Sequence, residues 1–266
     1  MTSVVSPRVE NISKIVAVAS GKGGVGKSTV SANLAIALAA DGSAVGLLDA
    51  DMYGPDIPLM FGLTRHQEAS AVTVWNNPAF PSAKRLPVKR HGVKLMSVQF
   101  LVGERQALAW DSGLVGLLLH QFFERVEWGD LDFLVVDLPP GTADTQQFVS
   151  AVGLAGVVVV VTPQDVAHLD AKKLLTMFEQ AAVPVFGAVE NMAWTECPEC
   201  GHRHRLFQPV ADGRSIWSLG VRRLSELPFS PDVGEMGTPV VIRAPKSKPA
   251  LAFLDLAAVV RSLCAN

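Results

Sequence analysis

The chain has 266 residues, 49% hydrophobic and 18% charged, with 25 acidic against 23 basic side chains for a net charge of −2. That is enough apolar material for a sizeable core, which excludes a disordered chain, and the charge balance supplies no overall positive field for DNA or acidic lipid. No apolar run reaches the ~18 residues of a membrane span. The expected setting is a reducing cytoplasm: the three cysteines, Cys197, Cys200 and Cys264, make no disulfide scaffold, and residues 1–14 lack the apolar core of an export signal.

Residues 15–19 read as a buried strand running into a glycine-rich loop. Residues 28–40 read as a helix, with Val30, Leu34 and Leu38 spaced by four and Asp41-Gly42 as the stop. Further strands are expected at 44–48, 94–98, 133–136, 157–161 and 185–189. Most are apolar throughout, as strands are when helices cover both sheet faces. The alternation predicts an α/β fold, a doubly wound and mostly parallel sheet flanked by helices, in one domain over residues 1–266. Two segments interrupt the rhythm. Residues 64–92 carry Pro78, Pro81 and Pro87 with Lys84, Arg85, Lys89 and Arg90, and read as a surface excursion. Residues 194–212 contain the C-x-x-C. Residues 250–263 are apolar over most of their surface, with Arg261 as their cation, and read as a helix packed on the sheet.

Gly21, Gly26, Lys27 and Ser28 satisfy G-x-x-x-x-G-K-S between a strand and a helix. In such a loop the backbone amides around Gly21, Lys22, Gly23, Gly24, Val25 and Gly26 close on phosphate oxygens, at the positive end of the helix that begins with Ser28 and Thr29. Lys27 then reaches the β and γ phosphates and the Ser28 hydroxyl ligates Mg²⁺, so the pattern points to ATP with magnesium. Asp49 and Asp51 follow one expected strand and Asp137 another, at the carboxyl edge where ligands of such sheets bind. An isolated Asp at such a place is often a helix cap, but two acidic motifs beside the loop read as functional.

Cys197 and Cys200 can present two thiolates to one metal. A redox pair normally sits at a helix start, whereas Cys197-Pro198-Glu199-Cys200-Gly201 before a basic loop reads as a knuckle. Zinc is a rival occupant, because His202 and His204 extend the pair to C-x-x-C-x-H-x-H. Cys264 reads as a plain terminal thiol, and His66, His91, His120 and His168 as structural or exposed.

The second lysine early in the loop, Lys22, resembles the deviant phosphate loop of the Mrp, Min-type, Par-type and nitrogenase-iron-protein group. The resemblance narrows at Asp49-Ala50-Asp51-Met52-Tyr53-Gly54-Pro55-Asp56-Ile57-Pro58, at Val126-Glu127-Trp128-Gly129-Asp130-Leu131-Asp132, at Asp137-Leu138-Pro139-Pro140-Gly141-Thr142, and at Glu190-Asn191-Met192 with the C-x-x-C. These stretches resemble the Mrp (ApbC) family, P-loop ATPases that carry iron–sulfur clusters, from about residue 12 onwards. The resemblance implies a homodimer in which Lys22 reaches the partner's nucleotide. It implies that Asp51 handles the attacking water with Asp49 supporting the metal shell, that Asp137 holds magnesium through water, that the Gly141 N–H senses the γ-phosphate, and that Asn191 lies at the adenine end. It further implies a 4Fe–4S cluster on Cys197 and Cys200 of two chains, delivered to apo iron–sulfur proteins. A cluster wants four thiolates, and a two-fold dimer supplies two plus two.

Three departures from the family stand out: Trp110-Asp111-Ser112-Gly113, the stretch from Phe207 to Gly213, and the lack of the extra N-terminal domain of longer members. The first two lie outside the phosphate loop and bear on dimer geometry and on cluster or partner handling more than on ATP. The competing readings are a Min- or Par-type spatial organiser on membrane or DNA, a zinc-binding diverged paralogue, and a nitrogenase-like electron donor. The electron donor is disfavoured because cluster cysteines in that group lie far apart in sequence.

Overall fold

Strand-forming runs of Val, Ile and Leu alternate with helices rich in Ala and Leu, and each strand folds against its neighbours with the helices above and below. The computed structural model describes residues 11–63, 85–100 and 122–265. β1 (Ile12–Ala19) leads through the glycine loop into α1 (Lys27–Ala40) and β2 (Val45–Asp49), followed by a single turn, α2 (Ile57–Met60). A short hairpin, β3 (Val88–Arg90) and β4 (Val93–Ser97), precedes β5 (Leu131–Asp137) and α3 (Ala143–Ala151). Then come β6 (Gly156–Val161), α4 (Asp165–Gln180), β7 (Val185–Glu196), β8 (Arg203–His204) and β9 (Arg223–Pro228). The short α5 (Pro231–Gly234) and α6 (Val240–Arg243) lead to α7 (Lys248–Ala265).

The strands order as β3-β4-β2-β5-β1-β6-β7, with β9 on the outer side of β7 and β8 paired to its last residues. All pairings are parallel except the two hairpin pairings, β3 with β4 and β7 with β8. Every residue of β2 and β6 is buried, as parallel strands covered on both faces must be. The expected mostly parallel α/β sheet is therefore the observed one.

Several expectations change. The excursion ends in a strand: Arg90 pairs with Val93 across His91-Gly92, both at positive φ (49° and 79°), which gives the two-residue turn a hairpin favours. Residues 64–84, including Lys84, lie outside the described residues, as does the departure at Trp110–Gly113. β7 does not stop at Val189 but runs on to Glu196, so it delivers the chain directly to Cys197. The helix expected over 250–263 packs on α1, α6 and β9, the outer strand of the sheet.

Candidate functional site

Parallel register brings the chemistry together. Asp49 is the Cα partner of Asp137 on one side and of Ser97 on the other, while Asp137 pairs with Val18 of β1. Three strand ends therefore finish at one level beneath the loop from Ser20 to Gly26. Asp49 and Asp137 are both fully buried, which is costly for two acids unless cations and donors answer them.

Lys27 is the answering cation. Its Nζ lies 2.9 Å from Asp137 Oδ2 and 3.2 Å from Asp51 Oδ2, with 6% of its side chain exposed. Burial by itself would lower this ammonium, but Asp137, Asp51 and Asp49 outweigh that and hold it above the ordinary lysine value. Ser28 Oγ donates to Asp137 Oδ2 at 2.6 Å, and Ser31 Oγ donates to Asp137 Oδ1 at 2.7 Å. Ser97 Oγ donates to Asp49 Oδ2 at 2.8 Å. Burial, and then the Asp137 charge, push Asp49 well above the usual carboxylate range, with Ser97 and Lys27 pulling the other way. Asp51 is raised too, chiefly by burial and only partly offset by Lys27, and its Oδ1 accepts the amides of Tyr53 and Gly54.

The loop is shaped by close approaches. Gly26 caps α1 at φ 84°, and a Cβ there would run into Asn191 Nδ2. A Cβ on Gly21 would strike the backbone of Asp170 in α4. Asn191, expected at the adenine end, lies buried beneath the loop and donates from Nδ2 to the Val25 carbonyl at 2.8 Å. Above this frame opens a cleft of about 450 Å³, lined among others by Lys22, Gly24, Lys27, Ser28, Thr29 and Asp51. Lys22 stands at its rim, half-buried. The Gly141 N–H donates to the Ser20 carbonyl at 3.0 Å. A buried lysine above a glycine-rich cradle, next to a hydroxyl and carboxylates at hydrogen-bond distance, fits a phosphate chain with a divalent cation.

Sequence reasoning missed Ser31, Ser97, Tyr53 and Met192. Ser31 lies three residues after Ser28 on one helix face, a signal that spacing carries. Ser97 reaches the site through strand register, which no local signal shows. Tyr53 and Met192 line the cleft, and the Tyr53 hydroxyl donates to Asp144 Oδ2 at 2.9 Å, joining the loop after β2 to the first turn of α3.

The C-x-x-C lies away from this cleft, at the far end of β7. The Cys197 N–H donates to the His202 carbonyl at 3.0 Å and the Gly201 N–H to the Cys197 carbonyl at 2.9 Å, with Gly201 at φ 70°. Cys197 is half-buried and Cys200 exposed. The amides of Cys200 and then Glu199 lower the Cys197 thiol below its ordinary value. His202 and His204 stack on each other with centroids 6.5 Å apart. Among the described residues no three His, Cys, Asp or Glu side chains converge as a metal site, so the four-ligand C-x-x-C-x-H-x-H arrangement does not form within one chain. No described helix is long and apolar enough to cross a membrane.

Residues 11–261 match the model of the ParA family described as NUBPL iron-transfer P-loop NTPases. The chain belongs to this family. It is 42% identical over 256 residues to the iron-sulfur cluster carrier protein of Haemophilus influenzae, covering 94% of the chain and 66% of that relative. The chain thus spans slightly less than two thirds of that relative's length. It is also 42% identical over 262 residues to the iron-sulfur cluster transfer protein NUBPL of Mus musculus, covering 96% of the chain and 79% of that protein. Among solved structures it resembles a nucleotide-binding protein of Archaeoglobus fulgidus in complex with ADP, with TM-score 0.68, 36% identity, and 95% of this chain and 89% of that one covered. The cell division ATPase MinD of Pyrococcus furiosus superposes with TM-score 0.64 at 22% identity over 94% of this chain and 99% of that one, a likeness of fold.

Proposed function

We propose that this protein binds and slowly hydrolyses ATP, and that two copies hold a 4Fe–4S cluster on their paired Cys197 and Cys200 and pass it to apo iron–sulfur proteins. The observation that carries the reading is a two-thiolate knuckle with no further convergent ligand among the described residues, in the same chain as a complete phosphate cradle. Two of four thiolates per chain is the stoichiometry a symmetric pair requires. The carrier names of the relatives support the cargo.

Bound MgATP supplies the scissile phosphoanhydride and a divalent charge. The loop amides hold the phosphates, and Lys27 turns from Asp137 and Asp51 toward them. Ser28 then offers its hydroxyl to the metal, while Asp137 stays oriented by Ser31. Asp51, released from Lys27, orients the attacking water with Asp49 behind it. Lys22, at the rim, extends to the nucleotide of the other copy and stabilises charge on the transferred group. Asn191 ties the loop to β7, whose far end carries the cargo cysteines.

The test is iron, acid-labile sulfide and oligomeric state of anaerobically reconstituted protein, with and without ATP. About four irons and four sulfides per two chains are expected. Sulfide-free protein that keeps stoichiometric zinc after reconstitution would sink the cargo.

A further inference from the structure

β7 ends on Glu196, and the first cargo cysteine is the next residue. The Glu196 side chain folds back over the knuckle, with Oε1 3.7 Å from where a Cβ on Gly201 would stand. Lys248 Nζ, at the first residue of α7, lies 2.8 Å from both carboxylate oxygens. Arg203 Nε, on β8, is 3.6 Å from Oε2, and its guanidinium sits 4.0 Å above the Trp194 ring. The knuckle's own turn is closed by the Cys197 and Gly201 amide bonds, so the turn holds its shape internally. Its angle to the body is a separate matter. The end of β7 and this clamp join the knuckle to the body, the clamp reaching a helix anchored through the buried Pro249, Ala250 and Phe253.

We infer that Glu196 is a positioning residue for the cargo: held by Lys248 and Arg203, it fixes the direction in which Cys197 and Cys200 face their counterparts. The inference rests on the cluster-carrier reading and deepens it. An isolated exposed ion pair contributes little. This pair engages both carboxylate oxygens, joins a second cation, and is tied to an aromatic ring, and what it controls is orientation rather than global stability. The same two cations stand beside the knuckle, where an anionic thiolate-bound cluster gains from nearby positive charge.

The experiment uses the full chain with Glu196→Gln, Lys248→Met and the charge-conserving Lys248→Arg. In metal-free protein, amide exchange at Cys197 and Gly201 is expected to match the parent in all three variants, because those bonds close the turn without the clamp. After reconstitution, the first two should lose iron to a chelator about threefold to tenfold faster and show an altered electron paramagnetic resonance spectrum of the reduced cluster. Lys248→Arg should behave as the parent, and nucleotide affinity should not change in any variant. A parent that takes up iron and sulfide, with Glu196→Gln and Lys248→Met variants that release iron at its rate and keep its spectrum, overturns the clamp. A parent that takes up neither overturns the carrier reading, and the inference with it.

Discussion

Lys27 and Asp137 form a 2.9 Å ion pair from which water is almost wholly shut out. Asp137 is fully buried, and its other partners are the hydroxyls of Ser28 and Ser31. Removing only the cation strands a charge. Lys27→Met is therefore expected to lower stability by about 3–5 kcal/mol, and the double change Lys27→Met with Asp137→Asn to recover most of that. Urea titration of the nucleotide-free variants checks it. Equal stability of the single and double variants would show that the pair is not coupled.

Ser31 tests a residue that motif reading passes over. Ser31→Ala takes the donor from Asp137 Oδ1 inside the core, a loss of about 1–3 kcal/mol for a buried acceptor left bare. With Oδ1 unheld, the carboxylate can rotate, so magnesium-dependent nucleotide affinity should weaken while magnesium-free affinity stays near the parent. A fluorescent ATP analogue titrated with and without magnesium separates the two.

Gly21 and Gly26 should resist even a methyl group, for different reasons. At Gly26 the backbone is left-handed and Asn191 occupies the space. At Gly21 the obstacle is the α4 backbone, which cannot swing aside as a side chain can. Gly26→Ala paired with Asn191→Ala is expected to regain part of the lost nucleotide binding. Gly21→Ala should stay impaired whichever neighbouring side chain is trimmed. Calorimetric binding of ADP measures both.

Asp49 gives a pH signature in nucleotide-free protein. Its folded value is raised above that of the unfolded chain, chiefly by burial and by Asp137. The stability it contributes is thus fully present below about pH 4 and is lost as pH rises through the higher folded value. Asp49→Asn removes that loss, so the variant should gain on the parent as pH is raised from 4 to 7. A gap between the two that does not change over this range would contradict the assignment.

His168 works in the opposite sense. Its Nδ1 accepts the Ile216 amide at 3.2 Å, and burial, followed by the Arg223 charge, pushes it down to about 4. The stability from neutral His168 is present above about pH 6.5 and is lost as pH falls toward 4. His168→Gln should flatten the acid limb of the stability profile by about one proton's slope. Thermal melts at half-unit pH steps read it directly.

Much of this molecule is legible locally. The runs at 15–19, 133–136 and 157–161 are strands because β-branched side chains fit a sheet buried on both faces. The phosphate loop is legible because glycines, a lysine and a hydroxyl must stand at fixed spacing to surround phosphate. The basic turn at His91-Gly92, the extension of β7 and the outer strand β9 were not legible. Their pairing partners lie elsewhere in the chain, and positive φ at a histidine has no strong composition signal.

By itself the sequence predicted that Lys27, Ser28, Asp49, Asp51 and Asp137 gather beside one phosphate loop, and that Cys197 and Cys200 stand in a separate knuckle. Their chemistry and spacing are local properties of the chain. Only the tertiary structure decided that Ser31 and Ser97 hold the acids, that Asn191 props the loop from below, and that Glu196 ties the knuckle to α7. Those contacts join residues from 48 to 166 positions apart. Strand register and helix packing create them, and neither is written in any short stretch of the chain.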